Sequence, residues 1–216
     1  MSVAPERKAE VARVFVVDDD RRILTAISRL LGAAGFEVQT FETAKDFLER
    51  HDPDVPGCAL LDVGLEDLDG LSLQEALTAN NGTRPVIFLT GCDDVHTGVR
   101  AMKAGAVDYL TKPVQDTALI AAVQSAIESD RIARDQRRIT DDFRARYERL
   151  TPREREVMKH VVLGRLNKQI AFDLGTVEKT IKVHRAHIME KMQVHSVAAL
   201  VHIAESLTTA GTKAAR

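Results

Sequence analysis

Hydrophobic and polar positions divide the N-terminal half of the chain into two kinds of segment. Five short apolar runs, rich in β-branched residues, have strand character: 14–17, 37–41, 58–61, 86–89 and 107–110. Apolar residues recur at helical spacing from Ile23 to Leu31, and Gly32 and Gly35 can end that helix. The other connections are helix-sized: 44–50, 71–79 and 95–104. The alternation predicts an α/β doubly wound domain with a five-stranded parallel sheet over about residues 10–127.

The segment that follows is mostly charged and contains no glycine before Gly164. Its apolar residues recur 7, 4, 4 and 3 positions apart: Ile132, Ile139, Phe143, Tyr147 and Leu150. A helical linker is therefore expected over residues 128–146. A weak coiled-coil seam and a solvated helix with incidental apolar residues explain this spacing equally well.

Residues 147–210 carry the signals of a small four-helix domain. Thr151 and Glu154 predict a capping box around the first-turn Pro152, at the start of a helix that ends near Gly164. A second helix is expected over 167–174, and a third from a cap at Thr176 to about Met192. The tight turn between them, which contains Gly175, is typical of a helix-turn-helix unit. A fourth helix is indicated by its apolar positions: Val197, Leu200, Val201, Ala204 and Leu207.

Composition narrows the class of protein. The chain is 44% hydrophobic and 29% charged, and it has no apolar stretch near the roughly 18 residues that a membrane helix needs. Its N-terminus lacks the order of a secretory signal, so a cytoplasmic protein that does not enter a membrane is expected. Cys58 and Cys92 are too few for a disulfide framework or a zinc site and are expected to be structural thiols.

The charge is divided unevenly along the chain. Residues 1–146 contain 18 Lys and Arg against 25 Asp and Glu, whereas residues 147–216 contain 12 against 7. An acidic half and a basic half indicate different partners, although charge also fluctuates along chains without any functional reason.

Chemically distinctive residues fall at the carboxyl ends of the expected strands, where functional groups gather in such sheets. They are Asp18, Asp19 and Asp20, then Asp62, then Thr90, then Lys112 with Pro113. Clustered carboxylates repel one another unless a cation neutralises them, and oxygen ligands suit Mg²⁺. A lysine and a hydroxyl can hold phosphoryl oxygens, and Asp62 can then act as a nucleophile that forms an acyl phosphate. Each residue alone would be an ordinary surface residue, but the four strand ends together predict one site.

Several segments of the chain resemble the two-component response regulators of the NarL/FixJ class, with a CheY-like receiver and a LuxR-type helix-turn-helix. The matching segments are VFVVDDD, CALLDV, PVIFLTG, AMKAGAVDYLTKP and LTPREREVMKHVVLGRLNKQIAFDLGTVEKTIKVHRAHIMEKM. The resemblance covers almost the whole chain and implies a flavodoxin-like receiver that is phosphorylated by a sensor histidine kinase.

The resemblance assigns roles to residues of the acidic site. Asp62 accepts the phosphoryl group, while Asp19, Asp62 and the backbone carbonyl of Gly64 ligate Mg²⁺ and Asp18 assists through water. Lys112 pairs with the phosphoryl oxygens, Thr90 bonds to one of them, and Tyr109 changes rotamer to report the modification. The resemblance also implies a cis bond between Lys112 and Pro113.

The loop after Asp62 departs from the family pattern. Leu65 and Glu66 stand where Met-Pro is usual, and Gly64 offers no side chain toward the phosphate. These residues bring the loop shape and the dephosphorylation rate into question, but they remove neither a ligand nor the nucleophile.

The third C-terminal helix has the composition of a DNA-recognition helix. The resemblance implies that Lys182 and Val183 face the bases of DNA. It also implies that four other residues lie nearer the DNA backbone: Lys179, Thr180, His184 and Arg185. Ala186 replaces a lysine of some relatives, and its methyl group can touch thymine. The apolar residues of the same helix are expected in the core: Ile181, Ile188, Met189 and Met192.

Together these features predict a phosphorylation-dependent transcriptional regulator rather than an enzyme with a separate substrate. Its expected partners are the sensor kinase, double-stranded DNA, a second copy of the chain and the transcription machinery. Dimerisation is expected on the face from about Asp94 to Leu110, and the fourth C-terminal helix is a second dimerisation element by resemblance. Two alternatives are an enzyme, either a phosphatase or a flavin binder, and an unphosphorylated docking protein. A flavin site would favour a Gly-rich loop over clustered acids, and a phosphatase would have little use for a DNA-binding domain. Uptake of phosphate at Asp62 distinguishes the regulator from the docking protein.

Overall fold

A computed structural model of the chain describes residues 11–79, 84–91, 95–201 and 204. The chain forms two compact units, Met1–Arg134 and Asp135–Arg216. Three residues to which expectations were attached lie outside the described residues: Cys92, Asp94 and Leu207.

The first unit is built on a five-stranded parallel sheet in the order β2-β1-β3-β4-β5. The strands are β1 (Arg13–Val17), β2 (Glu37–Phe41), β3 (Gly57–Asp62), β4 (Val86–Thr90) and β5 (Asp108–Thr111). Every residue of β3 and β4 is buried, as expected where helices cover both faces of a sheet. The predicted doubly wound sheet is confirmed, with each strand overlapping the run that indicated it.

Five helices connect or follow the strands of this unit. They are α1 (Arg21–Ala33), α2 (Ala44–Arg50), α3 (Gly70–Ala79), α4 (Val95–Lys103) and α5 (Asp116–Glu148). α1 continues through Gly32, and the chain turns at Gly35, whose φ of 90° favours glycine. Residues 128–146, predicted to be helical, lie within α5.

Alternating side chains of the sheet form two separate cores. One face, with Phe15 and Phe88, packs with residues of α2, α3 and α4. The other face, with Val16 and Leu60, packs with residues of α1 and α5. Cys58 lies fully buried in the second core, where burial raises the pKa of its thiol to about 12, in agreement with a structural thiol.

α5 is fixed to the amino ends of the strands by Asp130, which is 1% exposed. Its carboxylate accepts the Gly57 N–H at 2.8 Å and the Arg134 Nε–H at 2.7 Å. Arg134 in turn donates to three backbone carbonyls of the preceding loop: Pro53, Asp54 and Val55. The first unit therefore holds the helix up to Arg134.

The second unit contains α6 (Pro152–Val162), α7 (Asn167–Asp173) and α8 (Glu178–Met192), followed by helical residues at 197–201 and 204. The capping box of Thr151 and Glu154 is confirmed. The expected cap at Thr176 is wrong, because α8 begins after Val177, which makes no side-chain capping hydrogen bond. The α7–α8 turn passes through Gly175, whose φ is 61°.

The spaced apolar residues near the end of α5 divide into two groups. Phe143 and Tyr147 pack against the core of the second unit, and Leu150 is part of it. Their positions are thus explained by packing within that unit. Ile132 and Ile139 are 47% and 49% exposed.

No helix in the described part of the chain combines the length and apolar character needed to cross a membrane.

Candidate functional site

Lys112 joins two carboxylates at the carboxyl edge of the sheet. Its Nζ lies 2.6 Å from Asp18 Oδ2 and 2.7 Å from Asp62 Oδ1. Asp18 follows β1 and Asp62 ends β3, and these strands are hydrogen-bonded neighbours, so parallel pairing brings the two acids to the same edge. The three residues form the bridged triad, the name used below for Asp18, Asp62 and Lys112.

Burial and hydrogen bonding shift the pKa values of two members of the bridged triad, Asp18 and Lys112. The side chain of Asp18 is 1% exposed, and this burial raises the pKa of its carboxyl group although the hydrogen bond from Lys112 acts in the opposite direction. Burial would lower the pKa of Lys112, but its bonds to Asp18 and Asp62 outweigh that effect and raise it. The ammonium group therefore stays charged at neutral pH. The single positive charge of Lys112 faces the carboxylates of Asp18 and Asp62, so it cannot neutralise both of them.

Both oxygens of Asp62 have partners. Oδ1 accepts from Lys112, and Oδ2 accepts the Gly64 N–H at 3.0 Å. A Cβ added at Gly64 would lie 3.4 Å from Oδ2, so the glycine leaves that side of the carboxylate open. The side chain of Asp62 is 11% exposed, which gives a small reactant access to it from solvent.

Two aspartates that the sequence interpretation did not single out shape the loop after Asp62. Asp67 accepts the N–H groups of Ala44 and Lys45 at 3.1 and 2.9 Å, which ties the loop to the first turn of α2. Asp69 accepts the N–H groups of Leu71 and Ser72 at the start of α3. An aspartate just before a helix is the capping signal that identifies Asp69 in the sequence.

The unusual residues of this loop have clear positions. Leu65 is 7% exposed and packs in the first core, whereas Glu66 is exposed. A Cβ at Gly70 would lie 2.5 Å from the carbonyl oxygen of Asp62, so only glycine fits there without movement of the backbone. The loop thus keeps a defined shape without the usual Met-Pro pair.

Thr90 and Lys112 are placed by neighbouring strand ends. Thr90 ends β4 and is 4% exposed, and its carbonyl oxygen accepts the Lys112 N–H at 2.7 Å. The bond between Lys112 and Pro113 is cis, as expected.

Tyr109 lies half-buried on β5, with its ring 6.5 Å from that of Phe88. A Cβ at Gly98 of α4 would lie 3.3 Å from the tyrosine ring, so the glycine provides room for the inward side chain. Among the described residues, the buried Tyr109 hydroxyl has no hydrogen-bond partner. An unpaired buried hydroxyl is costly, so the inward position of Tyr109 leaves one hydrogen bond unmade.

The three consecutive aspartates after β1 occupy different environments. Asp18 is buried, with Oδ1 accepting the Asp20 N–H at 2.9 Å, whereas Asp19 is exposed. Asp20 caps α1 by accepting the Arg22 N–H, and the Arg22 side chain lowers the pKa of this carboxyl group to about 2. Over the described ranges, no three or more His, Cys, Asp or Glu side chains are grouped to hold a metal ion.

The predicted recognition helix is α8. Lys179, Lys182, Val183 and Ala186 are exposed on it, whereas Thr180, His184 and Arg185 are half-buried. Lys182 forms an exposed ion pair with Glu178, with Nζ 3.3 Å from the carboxylate. Ile181, Ile188 and Met192 are buried, and Met189 packs partly buried against them. The expectation that these four are core residues is confirmed.

Glu154 connects the capping box of α6 to α8. This residue is 3% exposed and accepts the Thr151 N–H at 2.8 Å and the Lys191 ammonium at 2.7 Å. Although burial acts to raise the pKa of Glu154, these bonds outweigh it and lower the pKa below its usual value. The ion pair stays intact at neutral pH and holds α8 on its domain.

Two family models match separate parts of the chain. "Response regulator receiver domain" matches residues 14–124, and "Bacterial regulatory proteins, luxR family" matches residues 148–204. The first match contains the bridged triad, and the second contains α6, α7 and α8.

Similar proteins span nearly the whole chain. Nodulation protein W of Bradyrhizobium diazoefficiens is 43% identical over 91% of this chain and 86% of its own. Transcriptional regulatory protein FixJ of the same species is 39% identical over 88% and 93%. Among solved structures, the response regulator StyR has 42% identity and a TM-score of 0.81, with 90% of this chain and 98% of that chain covered.

Replacing Asp18 with asparagine is expected to stabilise the first unit at neutral pH in the absence of divalent cations. The folded-state pKa of Asp18 lies above its unfolded value, so the folded state binds the proton more tightly, and stability falls as the pH rises through that interval. Asp18→Asn removes this cost and should raise the free energy of unfolding by about 1 kcal/mol at pH 7. Urea denaturation with a chelator present measures it.

Asp19→Asn is the matched control, because Asp19 is exposed. It should change the free energy of unfolding by less than about 0.5 kcal/mol. Equal effects of the two substitutions, or a loss of stability in Asp18→Asn at pH 7, would contradict the electrostatic description of the bridged triad.

Proposed function

Because the chain belongs to the NarL/FixJ class of two-component response regulators and carries a LuxR-type DNA-binding domain, it is a transcriptional regulator, and we propose that phosphorylation of Asp62 controls it. The observation that carries the proposal is the bridged triad, in which a single lysine holds two buried carboxylates at the carboxyl edge of the sheet. The phosphoryl group comes from a cognate sensor histidine kinase.

Asp62 is the nucleophile of the proposed transfer. One of its carboxylate oxygens forms a bond to phosphorus as the phosphorus–nitrogen bond of a phosphohistidine breaks, and the imidazole leaves with the electron pair and takes up a proton. With a small acyl phosphate as donor, a phosphorus–oxygen bond breaks and a carboxylate leaves. Lys112 stabilises the charge that develops on the phosphoryl oxygens, since its ammonium already lies 2.7 Å from Asp62.

The oxygen donors near Asp62 have the chemical character that Mg²⁺ prefers, although the described side chains are not grouped as a ready-made ion site. The buried pair Asp18 and Asp62 has only one lysine for two negative charges, and hard oxygen donors are the ligands that Mg²⁺ prefers. Asp19, Asp62 and the carbonyl of Gly64 would hold the ion, with Asp18 acting through water. When bound, Mg²⁺ supplies charge neutralisation for the phosphoryl oxygens.

The switch is proposed to pass through Thr90 and Tyr109. A phosphoryl group adds about −1.5 to −2 charge and strong acceptor oxygens, which draw in the Thr90 hydroxyl and the Lys112 ammonium. The Tyr109 hydroxyl, unpaired among the described residues, can gain a partner when the side chain changes position. These movements remodel the face of α4 and β5, and a second copy of the chain binds there.

The paired DNA-binding domains then contact double-stranded DNA through α8. Lys182 and Val183 are exposed, as base-contacting side chains must be. Lys179, Thr180, His184 and Arg185 contact the backbone, and the exposed methyl group of Ala186 can touch a thymine. The bound dimer acts on the transcription machinery.

Incubation with acetyl phosphate and Mg²⁺ should add one phosphoryl group to the full chain, and Asp62→Asn should abolish this addition. The amide cannot act as the nucleophile, because its nitrogen and oxygen lack the carboxylate charge. Intact-mass spectrometry measures the modification, and a chelator should suppress it.

Asp54→Asn is the control for this experiment, because Asp54 is an exposed acid before the amino end of β3. It should be phosphorylated like the wild type. If the wild type takes up no phosphate, the docking-protein alternative replaces the proposal. Turnover of many equivalents of donor would favour the phosphatase alternative.

Lys182→Ala should reduce discrimination between DNA sequences, whereas Lys179→Ala should weaken binding to all sequences. A base contact contributes about 1–3 kcal/mol of discrimination between sequences. A backbone contact contributes about one unit to the slope of log affinity against log salt concentration. Binding of a randomised pool of duplexes, followed by sequencing, gives the first quantity, and fluorescence anisotropy at several salt concentrations gives the second. Equal losses of discrimination in both variants would contradict these roles.

A further inference from the structure

A cavity of about 310 Å³ lies beside the recognition helix, within the second unit. It is bordered by the end of α6, the α6–α7 turn, α8 and the helical residues that follow. The residues that line it are Val161, Gly164, Arg165, Leu166, Asn167, Arg185 and Val197. Two of the seven are arginines and none is acidic, although the Arg165 guanidinium is already paired with Asp173. The unpaired positive charge of the cavity therefore comes from Arg185.

Arg185 lies on the flank of α8 rather than on its exposed face. At 100° per residue, its position falls between the buried Ile181 and Ile188 on one side and the exposed Lys182 on the other. A recognition helix in the major groove has the phosphate backbones along its flanks, whereas base edges face its exposed side. Among the described residues no carboxylate pairs with Arg185, so its guanidinium keeps its donors for a ligand.

Arg165 reaches the same cavity from the α6–α7 turn. Its Nη1 is paired with Asp173 Oδ2, which fixes one arm of the guanidinium. A guanidinium has five N–H donors, so the remaining donors can bond to a second anion. The Arg165 side chain is 47% exposed, so a ligand can reach it from solvent.

We propose that this cavity binds one backbone phosphate of the duplex through Arg165 and Arg185 together. The inference rests on the proposed binding of DNA by α8 and adds Arg165 and the α6–α7 turn to the contact surface. Two planar guanidinium groups match the oxygens of a phosphodiester. The exposed Leu166 and the half-buried Val197 supply an apolar rim for the adjoining sugar.

The test measures the affinity of the full chain for a mixed-sequence duplex by fluorescence anisotropy, at salt concentrations from about 20 to 150 mM. The slope of log affinity against log salt concentration counts the phosphates that the protein contacts. Arg165→Gln and Arg185→Gln should each lower the magnitude of that slope by up to about one unit. Because both side chains contact one phosphate, the double variant should lose no more than about one unit, whereas two separate contacts would lose about two.

Arg149→Gln is the matched control, since Arg149 is an exposed arginine of the same unit outside the cavity. It should keep the wild-type slope. Arg165→Lys retains a positive charge and should keep most of the slope, which separates the loss of the contact from any loss of the fold around Asp173. Circular dichroism of each variant confirms that the helices are intact.

The outcomes separate the inference from the function on which it rests. If the wild type shows no salt-dependent binding of duplex DNA, the proposed function fails. If the wild type binds but Arg165→Gln keeps the same slope as Arg149→Gln, the phosphate site is wrong while DNA binding by α8 stands. A double variant that loses about two units would overturn the shared phosphate.

Discussion

The first unit depends on one constraint: two carboxylates share a single ammonium group inside a largely buried site. Asp18 and Asp62 both lie within 2.7 Å of Lys112, and burial raises the pKa of Asp18. Such a cluster is stable only while a positive charge remains within it, since unpaired buried carboxylates are costly. The site is therefore sensitive to any added cation or anion. A phosphoryl group on Asp62 would change this balance more strongly than a change in any surface charge.

The surrounding backbone holds this constraint in place. Parallel pairing of β1 with β3 brings Asp18 and Asp62 to one edge, and the Thr90 carbonyl fixes the backbone of Lys112 on the adjoining strand end. Gly70 lets the loop pass close to the Asp62 carbonyl. At the opposite edge, Asp130 holds α5 against Gly57. Tyr109, whose buried hydroxyl has no partner in the described structure, is a side chain that can gain a hydrogen bond from a rearrangement.

Hydrophobic pattern and strand-end chemistry were enough to predict the sheet and its helices, because buried parallel strands are continuous apolar runs. The pattern did not reveal Asp67 or Asp130, since each is a single acid whose backbone partners lie 23 and 73 residues away in the sequence. The start of α8 was misplaced at Thr176, a favoured capping residue, whereas the first helical hydrogen bonds run from Thr180 and Ile181 to the Val177 carbonyl. The roles of the site residues follow from chemistry and family resemblance and stay predictions.

We propose above all that the phosphorylation state of Asp62 controls binding of DNA by α8. The most direct test measures the affinity of the full chain for the operator duplex selected by the phosphorylated protein, before and after treatment with acetyl phosphate and Mg²⁺. We expect at least about a fivefold gain in affinity in the wild type, which corresponds to roughly 1 kcal/mol of coupling, and no gain in Asp62→Asn. Equal affinities before and after treatment, in a wild-type sample shown to carry the phosphoryl group, would contradict it.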